Sequence, residues 1–119
     1  MRRVMLVDDQ EEFLQWITSQ LTLTADFRVN AVATNGNDAL NMMENTDIEV
    51  AIIDVVMPGM NGFDTARQMI LRNPKLPIVI MSSSDEEAYR DLCRSLGFSF
   101  IPKAALSVAS LQRLLQNGA

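Results

Sequence analysis

The chain of 119 residues is long enough for one domain with a buried core and too short for two. Hydrophobic residues make up 48% and charged residues 21%, the proportions of an ordinary soluble globular protein. A formal net charge of -5 argues against nucleic acid as a direct partner, because neutralising phosphates takes a basic face; the absence of histidine excludes His metal sites and His general bases, and the single Cys93 excludes an internal disulfide.

The chain opens with Arg2-Arg3 and an apolar run over residues 4–7, which Asp8, Asp9, Glu11 and Glu12 cut short. The run is too brief for a signal peptide and reads as a first strand. Phe13, Ile17 and Leu21 then share a helical stripe with Leu14 beside it. A second strand at 29–33 reaches the Asn35-Gly36-Asn37 turn and a helix marked by Ala39, Leu40 and Met43. A third strand at 50–53 precedes the breaks Pro58-Gly59 and Asn61-Gly62, after which Phe63, Ala66 and Ile70 mark a third helix. Asn73-Pro74 ends that helix, since proline disfavours helical geometry in the residue before it. A fourth strand at 78–81 leads into a helix with Ala88, Leu92 and Leu96 every fourth residue, and Ser84 or Asp85 as its N-cap. A fifth strand at 98–101 and a helix carrying Leu111, Leu114 and Leu115 complete the order.

The strand segments are short, rich in Val and Ile, and not alternating, as in strands buried on both faces of a parallel sheet. Strict alternation with short connections therefore gives an α/β fold: five βα units, (βα)5, forming a doubly wound, parallel, five-stranded sheet in one domain over residues 1–119. No segment approaches transmembrane length, so a cytoplasmic location away from membranes is the default.

In such sheets ligands bind beyond the carboxyl ends of the strands. The first strand runs into Asp8-Asp9, the third ends in Asp54, the fourth in Ser82-Ser83-Ser84, and the fifth is followed by Lys103. Granting the flavodoxin-like strand order 2-1-3-4-5, strands one and three are neighbours and Asp8, Asp9 and Asp54 converge. Carboxylates about 4 Å apart repel by roughly 4 kcal/mol per pair at an effective dielectric of 20, so protons or a cation must offset them. Hard oxygen ligands with room for water and phosphate favour Mg2+. Singly, each group has a plain structural role: a helix cap, a loop acid, a turn, a solvated lysine. Their joint placement at strand ends is harder to explain by capping, because Asp54 and Lys103 are not read as immediately preceding a helix.

The ordered set Val7-Asp8-Asp9, the run from Ile53 and Asp54 through Val55, Val56, Met57, Pro58, Gly59, Met60 and Asn61 to Gly62, the hydroxyl of Ser82 and the amine of Lys103 resembles the response-regulator receiver domain of two-component signalling over essentially the whole chain. The resemblance implies that Asp54 is the phosphoacceptor, with Mg2+ or Mn2+ as cofactor. It implies metal ligation by Asp9, Asp54 and the backbone carbonyl of Val56, with Asp8 acting through metal-bound water. Lys103 and Ser82 would hold the phosphoryl oxygens, and Ser82 and Phe100 would act as the switch, although Phe100 is equally well read as plain core. The implied donor is a sensor histidine kinase, a phosphotransfer protein or a small phosphodonor. The output would be controlled through the fourth helix, fifth strand and fifth helix, a face also suited to a homodimer. Val56 and Ser84 stand where the family tunes the lifetime of the phosphoryl group, and they predict a moderate to long one. Many receivers carry proline directly after the lysine; here Ala104 stands there and Pro102 precedes Lys103. The run Phe100-Ile101-Pro102-Lys103 resembles receivers joined to helix-turn-helix outputs, and the chain is either a stand-alone receiver or part of a larger regulator.

Other classes fit less well. A haloacid-dehalogenase-like phosphohydrolase needs a second Asp two residues after the nucleophile, where this chain has Val56. An FMN binder needs a Gly- and hydroxyl-rich loop after the first strand, where this chain has two acids. The expectation is therefore a protein that catalyses only its own phosphorylation and dephosphorylation.

Overall fold

Five parallel strands and five helices alternate along the chain in the computed structural model, which describes residues 1–118. They are β1 (Arg2–Val7), α1 (Glu11–Thr22), β2 (Phe27–Ala33), α2 (Gly36–Met43), β3 (Val50–Asp54), α3 (Gly62–Arg72), β4 (Ile78–Ser82), α4 (Glu87–Leu96), β5 (Ser99–Pro102) and α5 (Val108–Gly118). A single 3-10 turn, Lys103–Ala105, follows β5. The strand order is β2-β1-β3-β4-β5, so the first and third strands are neighbours and the doubly wound expectation holds.

Side-chain alternation along each strand sorts the core onto two faces. Met5, Val7, Ala51, Ile53, Ile78 and Ile80 face one way, under Ala39 and Leu40 of α2, Phe63, Ala66 and Met69 of α3 and Cys93 of α4. Val4, Leu6, Val50, Ile52, Val79 and Met81 face the other, under Leu14, Ile17 and Leu21 of α1 and Leu111 and Leu115 of α5. β3 and β4 are buried along their full length because both faces are covered.

Local chemistry sets the helix boundaries. Asn35 and Asn61 cap α2 and α3, their side-chain oxygens accepting from Asp38 N–H (2.8 Å) and Asp64 N–H (2.9 Å). Asn73 closes α3 ahead of Pro74, as the sequence implies. Gly97 closes α4 with φ 79°, a left-handed conformation that favours glycine.

Three local expectations fail. Neither Ser84 nor Asp85 caps α4: its N-cap is Glu86, which makes no side-chain cap bond, while Ser84 N–H donates to Ser82 Oγ and Asp85 pairs with Arg90. The stripe of α4 is also rotated, because Ala88 lies exposed and Cys93 is the buried residue. The fifth strand starts at Ser99 and not at Phe98, whose N–H closes the helix end by donating to Cys93 C=O (2.9 Å). Lys103 opens its own 3-10 turn, so the reading that no helical segment adjoins it is also corrected.

Candidate functional site

β1 and β3 deliver the acids. Asp8 follows the last residue of β1 and is fully buried; Asp54 is the last residue of β3 and 5% exposed; Asp9 stands exposed beside them. Each of the three offers a carboxylate oxygen within 4.8 Å of the others. The sequence expectation of convergence is met, and its physical cause is the adjacency of β1 and β3.

Lys103 enters from the end of β5. Its Nζ lies 2.6 Å from Asp8 Oδ2 and 3.6 Å from Asp54 Oδ2, with only 9% of the side chain exposed. It also donates to Gln10 Oε1 (2.9 Å) and sits 4.6 Å from the Phe13 ring centroid. Asp8 Oδ2 is close enough to the ammonium for strong attraction but lacks a directed hydrogen bond, so this buried oxygen has no hydrogen-bond partner. Its mate, Asp8 Oδ1, accepts from Gln10 N–H (2.9 Å).

One ammonium cannot balance three carboxylates. Burial pushes the Asp54 carboxyl up from 3.8 to about 6, with the charges of Asp8 and Asp9 adding to the rise and Lys103 opposing it. An all-oxygen donor set, an excess of negative charge and a buried oxygen without a hydrogen-bond partner fit a hard divalent cation such as Mg2+.

β4 supplies Ser82, 2% exposed. Its Oγ accepts from Ser84 N–H (3.1 Å), which uses a lone pair and leaves the O–H as a donor. The loop after β3 folds tightly over Asp54: Gly62 N–H donates to Val55 C=O (2.9 Å), and a Cβ on Gly62 would meet Asp54 O at 2.1 Å. Only glycine fits that approach.

The model of the response regulator receiver domain matches residues 4–115. The chain belongs to this family. The receiver domain is similar to the protein-glutamate methylesterase/protein-glutamine glutaminase of Bacillus subtilis (strain 168), at 36% identity over 112 residues, covering 92% of this chain and 31% of that protein. It spans about a third of the length of the relatives it matches. In structure it resembles a DNA-binding response regulator of the LuxR family from Staphylococcus aureus (TM-score 0.86, 21% identity, covering 99% of this chain and 98% of that one). It also resembles the response regulator protein TrrA of Thermotoga maritima, crystallised in complex with Mg2+-BeF (TM-score 0.83, 20% identity, 100% of both chains covered). At these identities the structural likeness concerns the fold.

The remaining expected residues of this receiver domain lie around the rim. Val56 has an exposed side chain (66%), and Ser84 is exposed beyond β4. Phe100 is half-buried, so it is not plain core. Its ring centroid stands 6.4 Å from that of Tyr89, which stacks in turn on Phe63 (6.0 Å), and the Arg90 guanidinium lies 5.0 Å from the Phe100 centroid. Sequence reasoning missed Gln10 and Phe13. Both sit in ordinary helix-start positions, and the contact of Gln10 with Lys103 spans 93 residues of sequence, which leaves no local signal.

Proposed function

We propose that this receiver domain is a phosphoacceptor switch in which Asp54 accepts a phosphoryl group from the phosphohistidine of a sensor histidine kinase or phosphotransfer protein, or from a small phosphodonor. The observation that carries this reading is the buried Asp54 carboxylate ringed by Asp8, Asp9, Ser82 and Lys103 at one edge of the sheet. Phosphoryl transfer asks mainly for positioning and charge neutralisation. An Asp54 oxygen attacks phosphorus; the bond from phosphorus to the donor breaks, and its electron pair leaves with the donor. Asp9, Asp54 and the Val56 carbonyl would hold Mg2+ (or Mn2+), with Asp8 acting through water. When bound, the cation neutralises charge on the carboxylates and on the incoming phosphoryl group. Lys103 pairs with a phosphoryl oxygen, and the Ser82 hydroxyl donates to another.

The added phosphoryl oxygens draw Ser82 inward and alter the packing of Phe100, which changes the surface formed by α4, β5 and α5. That surface serves an output domain, a partner protein or a second copy of the chain. Residues 1–119 act as a single receiver unit, whose only chemistry is on itself and whose setting is the cytoplasm. The structure of TrrA with Mg2+-BeF and the name of the DNA-binding relative support a metal-dependent switch linked to an output.

Incubation with Mg2+ and acetyl phosphate, followed by mass spectrometry, should give one phosphoryl adduct that is absent in Asp54→Ala. An adduct that persists in that variant would refute the site. In the same samples the wild-type adduct should decay more slowly than that of Val56→Asn, because valine cannot orient an attacking water.

A further inference from the structure

Gln10 opens α1, yet its side chain makes no bond to the helix it caps. Ser, Asp or Asn at this position would satisfy one of the free N–H groups of the first turn. The glutamine faces the site instead: its N–H donates to Asp8 Oδ1 (2.9 Å), and its Oε1 accepts from Lys103 Nζ (2.9 Å).

This bond constrains where the lysine aims. An ammonium carries three hydrogens in fixed directions. One of them goes to Gln10, and the face of the Phe13 ring, 4.6 Å away, holds the cation from another side. Under these two restraints Nζ rests 2.6 Å from Asp8 Oδ2 without forming a hydrogen bond to it. An unrestrained ammonium at that distance would turn a hydrogen onto the carboxylate, because a charge-assisted bond is stronger than one to a neutral amide.

The geometry points to Gln10 as a positioning residue that aims the Lys103 ammonium away from Asp8 Oδ2 and keeps that oxygen available to a hydrated divalent cation. This inference rests on the phosphoacceptor reading of the site. Without the Gln10 acceptor the ammonium turns onto Asp8 and competes with the cation.

The decisive variant is Gln10→Ser, which supplies a better helix cap but cannot reach Lys103. A purely structural role predicts that this variant improves or preserves every property. Calorimetric titration with Mg2+ alone should instead show weaker binding, by roughly threefold to tenfold, the span of one hydrogen bond. Gln10→Glu keeps an acceptor at the same reach and should bind Mg2+ at least as tightly as wild type.

A second readout needs no metal. The chain has two lysines, Lys75 and Lys103, and Lys75 is exposed, so lysine-15N NMR resolves the Lys103 ammonium directly. Its resonance should shift in Gln10→Ser. A folded Gln10→Ser with wild-type Mg2+ affinity, or with an unmoved Lys103 signal, overturns the role of Gln10 alone. Failure of the wild type to bind Mg2+ overturns the reading of the site and this inference with it.

Discussion

At the scale of single residues, Asp54 combines two opposed demands. It must be ionised to attack phosphorus, yet burial and its acidic neighbours raise its carboxyl to about 6. The folded protein therefore holds this proton up to about pH 6, whereas the unfolded chain releases it near 3.8. Between those values folding takes up a proton, so stability falls as pH rises through the window and stays lowered above it. Asp54→Asn should stabilise the metal-free protein by about 2–3 kcal/mol at pH 7 and by almost nothing below pH 4. Urea unfolding in EDTA across pH 4–8 measures this; a stabilisation independent of pH would contradict the electrostatic cause. The acids, Ser82 and Lys103 were legible in the sequence because polar groups stand out against apolar strand ends. Gln10 was not, because a glutamine after two aspartates reads as surface until the fold brings Lys103 beside it.

At the scale of elements, the strands were more legible than α4. Strand ends are marked by abrupt changes of polarity, whereas the rotation of a helix depends on what it packs against. The spacing of Ala88, Leu92 and Leu96 suggested one face; Leu92 and Leu96 are partly buried, but Ala88 is exposed. Two tertiary contacts set the actual rotation: Tyr89 lies between Phe63 and Phe100, and Cys93 is 1% exposed against the sheet. Burial likewise raises the Cys93 thiol to about 11, which keeps it protonated and unreactive at neutral pH. Ala88→Lys should change stability by less than about 0.5 kcal/mol, while Cys93→Asp should cost about 3 kcal/mol or more by burying an unpaired charge. Equilibrium denaturation of both variants distinguishes this rotation from the one the sequence suggested. With a single buried residue and no side-chain cap, α4 is lightly anchored, which suits an element that begins four residues after Ser82 and is proposed to respond to phosphorylation.

At the scale of the whole molecule, the strand order is what periodicity alone could not supply: alternation implies five parallel strands, but only the resemblance indicated that the first and third are adjacent. That adjacency places the acids on the two central strands, which belong to both halves of the core. A cation bound there should therefore stabilise the fold as a unit, by an amount set by its concentration relative to its dissociation constant, about 2.7 kcal/mol at a hundredfold excess. The opposite end of β1 offers a control. Leu115 of α5 is 4% exposed, and its carbonyl accepts from Arg2 at the start of β1 (3.5 Å), about 20 Å along the strand from Asp8. Leu115→Ala should cost about 2–4 kcal/mol through the cavity it leaves. Contributions from sites this far apart add, so the increment in Tm produced by Mg2+ should survive in Leu115→Ala and shrink in Asp9→Asn. Thermal unfolding of the three proteins with and without Mg2+ tests this. Loss of the increment in Leu115→Ala would mean that the two ends of the sheet are coupled, and that distant packing, as well as the four strand ends, holds the metal-binding geometry in place.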